Sequence, residues 1–179
     1  MDELESIKQR LRDAPLGDPP APWGRVGAVG VVGITEVGFA EDSELLLVLS
    51  GHGREVIDCR TGGRAARDYE MGHRSSWYGH HELIGLGFGP LANRQVRLAG
   101  AFGGGLLTVA RDGWGAVRVP VDWPDEFLLL TSPFSSIHHP SAPFWKLLAS
   151  RDSVAWGFSY TGQSLIAATT EGVTIFRRI

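Results

Sequence analysis

Cysteine occurs once in the 179 residues, at Cys59, and lysine only twice, at Lys8 and Lys146. A lone thiol excludes an intramolecular disulfide and a thiolate metal cluster, and Cys59 is expected as a core thiol on a strand. No apolar run approaches the ~18 residues needed to span a bilayer. The charged stretch from Met1 to Asp13 has no apolar core of the kind a signal peptide carries. A strong excess of either charge is missing too: 17 basic residues stand against 20 acidic ones, a net of −3. From Arg54 to Glu82, five arginines meet five acids. This balance removes the attraction that dominates nucleic-acid binding and suits cross-strand ion pairs on a solvated face. Catalytic signatures are also absent. The chain has no Gly-x-Ser-x-Gly, Walker loop, Gly-x-Gly-x-x-Gly or His-Glu-x-x-His. The expectation is a cytoplasmic protein that binds neither nucleic acid nor membrane and uses no cofactor.

Glycine, by contrast, is plentiful, with 24 copies set mostly between apolar runs. Three Gly-Phe pairs, Gly38-Phe39, Gly87-Phe88 and Gly157-Phe158, each follow an apolar residue and lead through a turn into a hydrophobic run. Those runs are Leu45 to Leu49, Val96 to Ala101 and Leu165 to Ala168. A glycine turn and a further β-rich stretch close each copy, as in a repeated β-meander. The first unit predicts strands over Ile34 to Ala40, Glu44 to Leu49, Arg54 to Cys59 and Arg64 to Tyr69. The second runs from Leu83 to about Val121. The third starts near Val154 and ends one strand short at Ile179, while Arg25 to Val32 has no unit of its own. Pairing that orphan run onto the last unit completes it and covers an edge. The second and third markers lie 70 residues apart, against 49 for the first two. Either a degenerate unit lies between Glu126 and Arg151, where Phe127 to Thr131 and Phe144 to Ala149 are apolar, or three units curl into a barrel or sandwich.

Ahead of the repeats, Leu4, Ile7 and Leu11 recur at helical spacing and predict a helix over Asp2 to Ala14. A helix this short needs a surface to dock on. Pro15, Pro19, Pro20 and Pro22 make an extended linker behind it. Residues 1–24 are therefore read as helix and linker, and residues 25–179 as a single β-repeat domain.

Trp156 to Ala168 followed by Glu171 to Phe176, and likewise Val37 to Asp58, resembles the blade phrase of WD40-like and related β-propeller repeats. The resemblance implies an all-β fold of three to four propeller-like antiparallel meander units behind one short N-terminal helix. It also implies closure of the last blade by the N-terminal strand. It is specific to repeat type and implies no activity.

Two loops carry the groups best suited to recognition. Gly72 to Glu82 holds His73, Trp77, Tyr78, His80 and His81. Adjacent residues of an extended strand point to opposite faces, so His80 and His81 do not ligate one ion together, and no metal site is expected. Thr131 to Pro143 contains His138 and His139 and is long enough to be functional, with Phe134, Ile137 and Phe144 pinning it to the body. Four of the six tryptophans, Trp23, Trp77, Trp123 and Trp145, lie in linkers or loops. Such aromatics are enriched at interaction hot spots, although each can also plug a gap between units. The leading reading is a non-enzymatic protein-binding module, an adaptor or immunity-type protein, that recognises another protein through inter-unit loops. The tentative binding residues are His73, Trp77, Tyr78, His80, Trp123, His138 and His139, in a monomer or weak homodimer. The other reading is a metal-dependent or carbohydrate-active enzyme that uses the His73–Glu82 loop with Asp122 or Asp125.

Overall fold

The computed structural model describes residues 3–69, 77–79 and 81–179. Helix α1 (Glu3–Asp13) is followed by strand β1 (Trp23–Gly30) and a meander of β2 (Ile34–Phe39), β3 (Leu45–Ser50), β4 (Gly53–Asp58) and β5 (Gly63–Asp68). Three short strands, β6 (Tyr78–Gly79), β7 (Ile84–Leu86) and β8 (Gln95–Arg97), pair among themselves, and β9 (Ala99–Gly100) joins β2. A third antiparallel sheet consists of β10 (Gly115–Asp122), β11 (Asp125–Thr131) and β12 (Phe144–Ser150). The fourth consists of β13 (Ser153–Phe158), β14 (Ser164–Thr169) and β15 (Gly172–Arg178), with β1 as its outer strand. Among the described residues the protein is thus mostly β, with one α-helix. That helix is not long and apolar enough to cross a membrane.

The orphan N-terminal run completes the last unit, as its composition implies. Arg25 pairs with Phe176, Val29 with Val173 and Gly30 with Gly172 in antiparallel register. The degenerate stretch between Glu126 and Arg151 forms two strands of a full sheet. The second unit departs most from expectation, because its residues are shared among sheets. The Val96 to Ala101 run is split at Leu98 between β8 and β9, and Gly100, at φ 156°, ends the second piece. The stretch after it touches the fourth sheet through Leu107 and Phe158 and the third through Val109 and Gly115.

Burial on both faces explains the unbroken apolar run in β3. Leu46 and Val48 pack with Ile166, Val173 and Ile175 of the fourth sheet, while Leu47 and Leu49 pack with Tyr78, Val96 and Leu98 on the second-sheet side. The fourth sheet is likewise two-sided. Its other face places Phe158, Leu165 and Phe176 with Trp23, Trp114, Leu130 and Leu147 against the third sheet. The contacts run in the order second, first, fourth and third sheet, and α1 lies outside the third through Leu11, which meets Val121, Leu129 and Ile137. Two of the three residues of the predicted helical stripe are used: Leu11 is fully buried and Ile7 packs beside it, whereas Leu4 stays exposed.

The repeated Gly of the Gly-Phe pairs has one physical cause, the close approach of a neighbouring segment. A Cβ at Gly38 would fall inside the van der Waals distance of the Arg97 carbonyl oxygen and 2.8 Å from Val96 Cγ1. One at Gly87 would sit 2.6 Å from Leu91 Cβ. At Gly157, where φ is 147°, it would meet Leu106 Cβ and the Leu107 carbonyl oxygen at 2.6 Å.

Candidate functional site

The third and fourth sheets touch at one end and part at the other. Strand alternation assigns the side chains. In β15, Val173 and Ile175 point to the first sheet, which turns Gly172, Thr174 and Phe176 toward the third. Phe176 fills the gap at its end beside Trp23 and Trp114, but glycine and threonine do not. Ala28 and Gly30 of β1 and Thr169 of β14 repeat the pattern of small residues. The result is an open groove of about 810 Å³ with Val121, Phe127, Leu148 and Ala149 on its third-sheet wall. That volume falls within the range of ligand clefts.

Charge is confined to the groove's rim. Asp122, Asp125, Asp152 and Glu171 line it with one cation, Arg151. Asp122 and Asp125 close the β10–β11 hairpin, and each is held by an arginine. Arg12 Nη2 donates to Asp122 at 2.8 Å, and Arg151 Nε donates to Asp125 at 2.5 Å. The Arg12 hydrogen bond holds the Asp122 carboxyl below the usual carboxylate range. Asp152 is held low as well, chiefly by the Thr170 hydroxyl and then by the Ser150 hydroxyl, which donates at 2.8 Å. Its partners are hydroxyls and the backbone N–H groups of Asp152 and Thr170, so its charge is stabilised without being neutralised. Between Asp122 and Asp125, at the hairpin tip, Trp123 is 87% exposed.

The residues expected to bind do not form one site. His73 and His80 lie outside the described residues. Trp77 and Tyr78 line a separate cavity of about 430 Å³ with Glu82, yet their rings are 5% and 7% exposed. They pack the second sheet onto the first. The Arg54 guanidinium lies 4.8 Å from the Trp77 ring centroid, and the Tyr78 hydroxyl donates to the buried Glu36 carboxylate. Trp23 and Trp145 lie on β1 and β12 rather than in linkers or loops, Trp23 in the core and Trp145 packed against the same cluster, so of the four only Trp123 stands free. His138 and His139 are exposed. His139 Nδ1 meets Ser141 Oγ at 3.0 Å, and its carbonyl accepts from Arg10 at 3.0 Å. Ile137 is buried and Phe144 lies half-buried under Arg10, but Phe134 does not pin the loop by burial. It is 88% exposed and is held by its backbone N–H, which donates to the Gly113 carbonyl at 2.9 Å.

Asp152 and Glu171 were not legible as site residues. Both sit in tight turns, where acids are ordinary, and only the small-large alternation of Gly172 to Phe176 hints that a gap opens beside them. Among the described residues no group of three His, Cys, Asp or Glu is placed to hold a metal ion. No protein-family model matches the chain, and no curated protein or solved structure matches it.

Proposed function

We propose that this protein is a non-enzymatic binding module, of adaptor or immunity type, built on a propeller-like array of four meander sheets. It docks a partner protein at the end of the molecule where the third and fourth sheets part. The observation that carries this reading is Trp123, exposed at a hairpin tip between two residues of an apolar-walled groove. A tryptophan brings a large contact area with few rotatable bonds. Here the hairpin beneath it is already fixed by two arginine–carboxylate pairs, so docking orders little additional chain.

The enzyme reading lacks comparable support. Glycoside hydrolysis needs one carboxyl held protonated near neutral pH, and Asp122 and Asp152 are both pushed the opposite way. Glu82 lines a different cavity from Asp122 and Asp125.

Affinity capture from the native cell tests the docking reading, with wild type compared with Trp123→Ala and with Phe134→Ala as an exposed-aromatic control. A protein retained by wild type and by Phe134→Ala but lost with Trp123→Ala is expected. Equal retention by all three forms refutes the assigned surface.

A further inference from the structure

Resting on that docking reading, we infer that the groove receives an arginine-bearing segment of the partner, with the guanidinium between Glu171 and the Trp123 hairpin and flanking apolar side chains on the walls.

Three observations point to a cation. First, the rim concentrates negative charge: four carboxylates to one guanidinium line this groove, while the whole chain has 20 acids to 17 bases. Second, the compensation is uneven. Asp122 and Asp125 have their arginines, but Asp152 is held by hydroxyls and backbone N–H groups rather than by a cation, and the exposed Glu171 carboxylate has no partner among the described residues. These two acids flank one corner, where the Thr170 N–H donates to the Asp152 carbonyl at 3.3 Å. Third, this protein habitually covers aromatic rings with cations. Arg178 lies over Trp23, Arg54 over Trp77 and Arg118 over Trp156, at 3.9–4.8 Å from the ring centroids, whereas no cation of the described residues lies over Trp123. A guanidinium in the groove meets the Glu171 carboxylate, and the uncovered Trp123 ring, on the hairpin whose Asp122 and Asp125 line the same rim, offers a π face to the segment that carries it; arginine suits such a setting better than lysine.

The same charges argue against a second copy as occupant. A two-fold contact through this groove sets the four acids of one molecule against the same four of its partner. The walls are nevertheless apolar, so a lone cation is not the complementary ligand either. The fit is to a short segment carrying apolar residues around an arginine.

The probe is a capped Gly-Leu-Arg-Leu-Gly peptide titrated into the full chain, with the arginine replaced by citrulline or glutamate in controls. Heteronuclear NMR follows the Trp123 indole N–H and the Glu171 amide. Saturable shifts at both are expected with the arginine peptide, together with about tenfold weaker binding of the citrulline peptide. Trp123→Ala weakens binding roughly tenfold. Glu171→Gln, an exposed isosteric change that leaves the fold intact, weakens it about threefold. The Kd rises as salt is taken from about 0.05 M to about 0.5 M. Equal binding of the citrulline or glutamate peptide overturns the proposal, as does the absence of saturable shifts at Trp123 and Glu171. A dimer on sedimentation that Trp123→Ala abolishes also overturns it, because the groove then belongs to a second copy. Cell-extract capture separates the two readings. Loss with Trp123→Ala but salt-insensitive, unchanged retention with Glu171→Gln keeps the docking surface and removes the cation, while retention by both variants removes the surface itself.

Discussion

Replacing Gly38 by alanine should destabilise the protein far more than one methyl group suggests. The new Cβ would meet the Arg97 backbone, which cannot rotate away as a flexible side chain can, and would lie 2.8 Å from Val96 Cγ1. Relief requires the β8–β9 segment to move off β2. That move breaks the pairs of Glu36 with Gly100 and Val37 with Ala99, together with the Ala101 N–H bond to the Thr35 carbonyl at 2.8 Å. On the order of three backbone hydrogen bonds at about 1 kcal/mol each are exposed, and loosened packing of Val96 adds about 1 kcal/mol. Alanine's smaller unfolded-state entropy returns about 0.4–1 kcal/mol. The net loss is about 3 kcal/mol, a fall in melting temperature of roughly 6–12 °C for a chain of this size. Gly27→Ala is the control, because a Cβ there meets nothing within 4 Å. It should be neutral or stabilising by up to ~1 kcal/mol. Urea and thermal unfolding measure both. If Gly38→Ala lies within about 1 kcal/mol of Gly27→Ala, close approach is not why the Gly-Phe glycines are glycines.

Two further outcomes follow from the buried and charged groups. Tyr78→Phe strips the buried Glu36 carboxylate of a donor and leaves it the Thr35 hydroxyl at 2.8 Å. A loss of about 1.5–3 kcal/mol is expected by chemical unfolding, with partner capture unchanged, and the reverse pattern would assign Tyr78 to recognition rather than packing. Asp152 is held below its ordinary 3.8 by hydroxyl donors, so its stabilising contribution is complete above that pH and is lost as pH falls through the lower folded value. Asp152→Asn should therefore flatten the stability profile below pH 3.8, and an acid limb identical to wild type contradicts this.

Local chemistry made much of the β organisation legible. Alternating charges in the first unit do pair across strands: Arg54 with Asp68 at 2.9 Å, and Glu55 with Arg64 and Arg67. The truncated last unit announced its missing strand, because a meander one strand short leaves an edge that β1 can cover. The second unit resisted reading for a physical reason. Val96 to Ala101 looks like one strand, but it changes sheets at Leu98, with Val96 in β8 and Ala99 and Gly100 in β9. The tryptophans resisted too. A ring's burial depends on residues remote in sequence: Trp77 is enclosed with Arg54, and Trp114 with Trp23 and Trp145. Loop position therefore did not distinguish Trp77 from Trp123. The groove was illegible because it consists of side chains that are too small, distributed over three strands of one sheet.

The helix connects these features. Arg10 and Arg12 are two residues apart and point to opposite sides of α1, so the helix reaches two surface segments at once. Arg10 donates to the carbonyls of Ile137, His139 and Pro140, and Arg12 pairs with Asp122 beneath Trp123. Lys146 Nζ, its pKa lowered by burial, donates to the Arg12 carbonyl at 3.1 Å and joins the helix end to β12. The exposed histidine loop and the exposed tryptophan hairpin thus share one support, although neither touches the other in sequence. Burial of Leu11 holds α1 on the third sheet, and the two arginines use that anchorage to fix the histidine loop and the tip of the β10–β11 hairpin. An amphipathic stripe of two working residues suffices because the remaining attachment is polar and directional. A helix too short to stand alone becomes the element that fixes the geometry of the molecule's most exposed tryptophan.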